Sequence, residues 1–289
     1  MIPTLNSATA GGGSSLEQFV ALAARHGFSG VDISIEPAHQ LGLPTAAALF
    51  ESQGIFPATF DLPVEWRRDE ATFRAGLETL PGLAKFAQDL DCVRCVTYVL
   101  PESDAPRDRY AKISTARFIE IGRILADNGV RLGLEFIGPH HFRTRPENVW
   151  FYDIAGALDV ADEINSHLQS TIVGLLVDSF HWHTAQNSTM DLASIPLEQI
   201  VHVHLNDAPL NTAIPDLQDG ARELPGATGA IDVTGFLSTL AALGYDGPVA
   251  VETFSDALRK MTPDQAAAKA GAAMTSVFQS AGVKPLRLL

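Results

Sequence analysis

The chain predicts a (β/α)8 barrel, α/β in class, and three observations predict it. Eight short apolar segments alternate with helix-patterned ones along 289 residues, a length ordinary for such a barrel. No linker-like break divides the chain, so residues 1–289 read as one domain. Neither G-x-G-x-x-G nor G-x-x-x-x-G-K-S/T occurs, which weakens the doubly wound open sheet that the same alternation could build.

Each element has a local reason. Pro3–Asn6 is a first short strand; Gly11–Ser15 is a loop whose Ser14 or Ser15 can cap a helix. Leu16, Phe19, Val20 and Ala23 recur at helical spacing, which predicts a helix over Leu16–Arg25 closed by His26-Gly27. Gly30–Ile35 reads as the second strand, Thr45–Gln53 as a helix stopped by Gly54, and Ile55–Phe60 as the third strand. A long helix over Ala71–Leu90, bent near Pro81, leads to a fourth strand at Val93–Val99. A helix over Arg107–Asn128 precedes the fifth strand, Arg131–Phe136, and a His- and Arg-bearing loop, Pro139–Asn148. Asp153–Ile164 is helical and Ile172–Asp178 is the sixth strand. A polar segment with one short helix near Leu192–Ile195 leads to the seventh strand, Ile200–Leu205, and the long loop Asn206–Gly229. Val233–Leu243, Val249–Thr253 and Pro263–Ser280 complete the pattern as helix, eighth strand and alanine-rich last helix.

Composition narrows the function. Hydrophobic residues make up 46% of the chain and charged residues 19%, enough for a large core and unlike a disordered segment. The net charge is −14 with no Lys/Arg run, which argues against nucleic acid or an anionic membrane as partner. No basic-then-apolar N-terminal stretch is seen, and no apolar run approaches the roughly 20 residues of a membrane span, so the expectation is a cytoplasmic protein, with a homo-oligomer compatible. Cys92 and Cys95 lie in a β-branched run without a second Cys pair and read as packed thiols rather than a redox or zinc motif.

The chemistry gathers at strand ends. V-R-L-G-L-E-F-I-G-P, L-L-V-D-S-F, I-V-H-V-H-L-N-D and P-V-A-V-E-T-F each deliver a metal-ligand type near the C-terminal end of an apolar run: Glu135, Asp178, His204 and Glu252. Strand alternation sends Leu132, Leu134, Phe136, Val201, Val203, Leu205, Val249 and Val251 toward the helices and these four into the barrel mouth. The layer beneath is then Gly133, Leu176, His202 and Ala250, with room for His202 to support the site from below. A single strand-end carboxylate is ordinarily paired with Lys or Arg, or caps a helix. Four on successive strands, each costly to bury alone, suggest one shared divalent cation. Oxygen-rich ligation with one imidazole favours Mn²⁺ and allows Mg²⁺, Co²⁺ or Zn²⁺.

These motifs resemble the xylose isomerase-like barrel superfamily of sugar isomerases, epimerases and keto-inositol dehydratases. L-E-F-I-G-P resembles its metal-binding Glu strand, V-D-S-F-H-W its D-x-x-H strand, H-V-H-L-N-D-A-P its metal-binding His strand and V-A-V-E-T-F its last metal Glu strand. R-E-L-P-G-A-T-G-A-I-D resembles its Arg and L-P-G-x-G-x-I-D loop, with one extra residue between the glycines. The resemblance implies metal ligation by Glu135, Asp178, His204 and Glu252, substrate contact by His181 and Arg222, and an acid/base pair in Glu135 and Glu252. The endonuclease IV branch adds histidines at earlier strand ends; here those ends read Phe60-Asp61 and Tyr98-Val99, which argues against DNA repair.

The implied activity is a metal-dependent sugar isomerase or epimerase acting by enolisation of a ketose or keto-polyol. A metal-dependent lyase on a keto-inositol or related keto-sugar is the alternative, because one enolised species serves epimerisation, isomerisation and dehydration. A non-catalytic sugar-binding barrel is a third reading. The partner is a small sugar or polyol, unphosphorylated because no phosphate-binding Gly-rich motif is present. His140 and His141 either line the pocket or are solvated. Trp182, Phe136 and Phe254 could wall a sugar's apolar face, and Phe136 could equally be core.

Overall fold

The computed structural model describes residues 1–287. In chain order it contains β1 (Ile2–Leu5), α1 (Ser7–Ala10), α2 (Leu16–Arg25), β2 (Gly30–Ile33), α3 (Ile35–Leu41), α4 (Leu43–Gln53), β3 (Phe56–Asp61), α5 (Glu70–Asp89), β4 (Arg94–Val99) and α6 (Arg107–Asp127). The second half contains β5 (Arg131–Phe136), α7 (Ile154–Leu168), β6 (Val173–Asp178), α8 (Ser179–Thr184), α9 (Thr189–Ala193), β7 (Ile200–Leu205), α10 (Val233–Ala242), β8 (Pro248–Val251), α11 (Asp256–Arg259) and α12 (Pro263–Ser280). Among the described residues the strands form one closed parallel barrel in sequence order, with β8 pairing back onto β1. The predicted fold class is the observed one.

The helix boundaries follow from their caps. Ser15, not Ser14, caps α2, in a reciprocal box with Gln18. Thr262 and Gln265 make the same box on α12, with Pro263 at the first helical position. Asp69 and Asp153 cap α5 and α7. α4 ends at Gly54, in the left-handed conformation at φ 61°. β5, β7, α2 and α12 have the bounds the sequence predicts. β2 is shorter than expected: it stops at Ile33, and Ser34 leads into α3. The short helix expected at Leu192–Ile195 lies slightly earlier, over Thr189–Ala193, where Ser188 and Asp191 form its capping box.

Apolar residues of alternate strand positions, including Leu132, Leu134, Phe136, Val203, Leu205, Val249 and Val251, join a continuous apolar core. Val201 departs from the predicted alternation. β7 carries one extra residue against β6, since Leu175 pairs with Ile200 but Leu176 with His202. A Cβ placed on Gly133 would lie 3.1 Å from Val201 Cβ and 3.2 Å from Val96 Cγ1, so Val201 faces the barrel interior rather than the helices. β3 has a matching irregularity against β2: Val31 pairs with Pro57 and Asp32 with Thr59. Cys92 and Cys95 are free and buried. No described helix is long and apolar enough to cross a membrane.

Candidate metal centre

Glu135, Asp178, His204 and Glu252 converge at the C-terminal mouth of the barrel. Each offers a ligand atom, and these atoms lie within 4.8 Å of one another. His204 Nδ1 is 3.4 Å from Glu252 Oε2, 3.7 Å from Glu135 Oε1 and 3.9 Å from Asp178 Oδ2. Tetrahedral donors about 2.1 Å from one cation would stand ~3.4 Å apart. Glu135 Oε1 and both ring nitrogens of His204 are buried without a hydrogen-bond partner. Orphaned buried polar atoms cost free energy, and a cation between the oxygen and Nδ1 would satisfy both. The donor set therefore fits a divalent metal.

Local structure fixes each donor. Asp178 ends β6 and caps α8, with Oδ1 accepting from the backbone N–H of Phe180 at 2.6 Å and of His181 at 3.1 Å. Its Oδ2 accepts from Asn206 Nδ2 at 2.9 Å and Arg222 Nη1 at 3.1 Å. The helix-capping role and the site role thus coexist on separate oxygens. His204 Nε2 faces Asp32 Oδ2 at 3.5 Å, which leaves Nδ1 for the site. Asp32 in turn accepts from Asn6 Nδ2 at 3.1 Å and Thr59 Oγ1 at 2.8 Å, and lies 3.2 Å from His202 Nε2. His202 sits beneath the site as predicted but reaches His204 through Asp32.

The electrostatics are those of a crowded acidic pocket. Burial pushes the Glu135 carboxyl up. Burial acts the same way on Glu252, but His204 and Arg222 outweigh it and hold this carboxyl down at about 2. Burial alone would lower His204, yet Glu252, Asp32 and Glu135 raise it well above its ordinary value. On β3, loss of water and the like charges of Asp32, Glu252 and Glu135 push Asp61 up to about 7. Asp61 remains exposed to the cavity, so of the two causes the neighbouring charges are the one its position supports.

Arg222 is buried between the rings of Phe180 and Phe254, at 5.1 Å and 4.7 Å from their centroids. Besides Asp178 it bonds Glu252 Oε2 at 3.0 Å and Asp219 Oδ1 at 2.6 Å, and its Nη2 is 3.2 Å from His181 Nε2. The loop carrying Arg222 is pinned by the buried Asp207 carboxylate, which accepts from the backbone N–H groups of Thr228, Gly229 and Ile231. On the other side Gly138 packs onto α8. A Cβ there would stand 2.4 Å from His181 O, so the chain after β5 can approach His181 only as glycine.

Two cavities meet at Glu135 and Glu252. One, of about 330 Å³, is lined by Ile137, Phe142, His181 and Arg222 among others. The other, of about 320 Å³, reaches down to Asp32, Thr59, Asp61, Val96 and Leu176. Tyr98, Glu135, Glu252 and Phe254 line both. Phe254 is a wall, as anticipated. Phe136 is core, and Trp182 packs on Phe236 with its Nε1 donating to Ser188 O, so neither faces a ligand. Asp32, Asp61, Tyr98 and Asp219 are site residues that the sequence reading does not single out. The first three stand at or near strand ends, which is a signal. Asp219 sits in a long loop with none.

A family model described as xylose isomerase-like TIM barrel matches residues 20–276. The chain belongs to this family. Inosose isomerase of Bacillus velezensis is 27% identical over 90% of the chain and 91% of its own length. A 3-dehydroshikimate dehydratase of Pseudomonas aeruginosa is 32% identical over 46% of the chain and 19% of its own length. The crystal structure of an IOLI protein with a zinc atom bound superposes with a TM-score of 0.79 at 25% identity, covering 96% of this chain and 98% of that one.

Proposed function

We propose that this xylose isomerase-like barrel is a divalent-metal-dependent sugar isomerase or epimerase that enolises a ketose or cyclic keto-polyol. The observation that carries the reading is the convergence of Glu135, Asp178, His204 and Glu252, with the orphaned Glu135 Oε1 and His204 Nδ1 facing each other. The inosose isomerase relative supports the substrate class. These four residues would hold the metal, Mn²⁺ by the oxygen-rich donor set, although the superposed structure carries zinc. When bound, the cation would polarise a ketone and its neighbouring hydroxyl and so acidify the C–H between them.

The chain's own groups would do the rest. Glu135 lies on β5 and Glu252 directly follows β8, strands that do not adjoin, and both residues line both cavities. One carboxylate takes the proton from one face and the other returns it from the opposite face, which is epimerisation; return to the adjacent carbon is isomerisation. His181 and Arg222, in the wall of the 330 Å³ cavity, contact substrate oxygens. Phe142, Phe254 and Tyr98 exclude water from the enolised substrate. A second reading, loss of a β-hydroxyl as water, has the dehydratase relative in its favour.

The test is exchange in D₂O followed by NMR, with Mn²⁺ and a panel of ketoses, inososes and cyclic keto acids. Deuterium washed into one substrate together with its epimer or isomer is the expected result. A mass loss of one water would select the dehydratase, and no exchange across the panel would reject enolisation.

A further inference from the structure

Arg67 is a cation without a counter-charge in an acidic molecule. The chain carries 34 Asp and Glu against 20 Lys and Arg, yet among the described residues no carboxylate lies within ion-pair distance of Arg67. Its position is nevertheless held. Nη2 donates to Tyr98 O at 2.7 Å and Thr97 Oγ1 at 3.3 Å, and the guanidinium lies 3.7 Å from the Tyr98 ring centroid and 4.6 Å from that of Trp66. Nε is buried without a partner, while Nη1 has neither an acceptor nor a place among the buried atoms, so it opens outward.

Beside the metal centre lies a third cavity, a groove of about 530 Å³. Arg67 lines this groove and also the cavity that holds Asp61 and Glu135. Leu100 and Phe142 belong both to the groove and to the His181 cavity. The other groove cations are occupied or peripheral. Arg117 donates to Trp66 O, Arg68 O and Glu70, Arg145 reaches Glu102 and Asp104, and Arg68 is exposed at the rim. One fixed guanidinium with a free edge suits a planar monoanion, since a phosphate dianion ordinarily gathers several donors.

We infer that Arg67 recognises a carboxylate on the substrate, remote from the carbons that react at the metal centre, so that the natural substrate is a keto acid rather than a neutral sugar. This rests on the enolising centre proposed above but not on which product it forms. The carboxylate occupies the groove edge of Arg67, on the side of the Phe142 ring, while the ketone end reaches Glu135 and Glu252.

The test measures binding to the Mn²⁺-loaded full chain by calorimetry. The probes are 3-dehydroshikimate as a ring keto acid, scyllo-inosose as its neutral counterpart and fructose 6-phosphate as a phosphate. Wild type should bind the keto acid at least tenfold more tightly than the inosose. Arg67→Met keeps the stem and its packing but removes the charge, and should reduce that preference at least tenfold. Arg67→Lys should fall between. Equal weakening of acid and inosose in Arg67→Met would make Arg67 a packing residue and overturn the inference, as would failure of the wild type to prefer the acid. An Arg67-dependent preference for the phosphate would overturn the carboxylate. Deuterium exchange run on the same probes separates the two proposals: selective acid binding without exchange leaves Arg67 in its role and removes the enolising centre, and exchange of inosose without acid preference does the reverse.

Discussion

Glu135 and Glu252 carry opposite perturbations within one donor cluster. Burial raises Glu135, whereas His204 and Arg222 lower Glu252 to about 2. Two carboxylates pushed apart in this way are suited to different proton roles. Glutamine keeps the size and one coordinating oxygen but cannot act as a base. Glu135→Gln and Glu252→Gln should each lose about 10²–10⁴ in turnover, while metal content stays near wild type. If both variants still interconvert substrate within about tenfold of wild type, neither residue is the base. For a two-base epimerase each single variant should retain exchange from one epimer only, and NMR in D₂O reads that difference. Metal content tests the other donors: Asp178→Asn and His204→Ala should both bind less Mn²⁺ by elemental analysis, and full occupancy in both would defeat the assignment. Alanine at His181 or Arg222 should spare metal and weaken substrate binding. The Arg222 change should also destabilise the metal-free fold, because buried Asp178 and Glu252 lose their guanidinium partner. The four donors were legible because each closes an apolar run whose alternation points it inward. Asp32 was not, because the reading extended β2 past it to Ile35 and so placed it mid-strand.

At the scale of elements, the strands, the long helices and the short α9 were legible, and the other short helices were not. α1, α3 and α8 span 4, 7 and 6 residues, too short for a 3.6-residue period to declare itself. α8 is the costly omission, because its first turn is what Asp178 caps and what presents His181. Its signal was the cap itself, an Asp at a strand end followed by residues able to turn. The extra residue in β7 was equally hidden, since alternation assumes a regular strand and the fit of Val201 against Gly133 depends on three strands at once. The loop after β7 is irregular for 20 residues and more, yet Asp207 gives it a fixed form through backbone donors. Asp207→Ala should therefore release Arg222 as well as cost stability, roughly 2 kcal/mol or more from stranded N–H groups. Thermal unfolding and substrate affinity should fall together, and a variant with wild-type values of both would reduce Asp207 to a bystander.

For the whole molecule, the barrel concentrates charge at one end. Asp32, Asp61, Glu135, Asp178, Asp219 and Glu252 all line or underlie the same mouth, with Arg67, Arg222 and His204 set among them. A fold that brings this many carboxylates together spends hydrophobic stabilisation on like-charge repulsion, and a bound divalent cation should return part of it. Cation binding to the native state alone stabilises it by mass action, by about 2.7 kcal/mol at a concentration one hundred times Kd. For a chain of this length that corresponds to a rise in melting temperature of roughly 5 °C. Chelator-treated protein should gain this on addition of Mn²⁺, while sodium chloride at equal ionic strength should give much less, because screening acts weakly on buried groups. His204→Ala should abolish most of the Mn²⁺ increment, since it removes the imidazole grouped with the three carboxylates. A melting temperature that responds equally to both salts, or that rises with Mn²⁺ in the His204 variant as in wild type, would mean that the cation acts on the general surface charge and not at the barrel mouth.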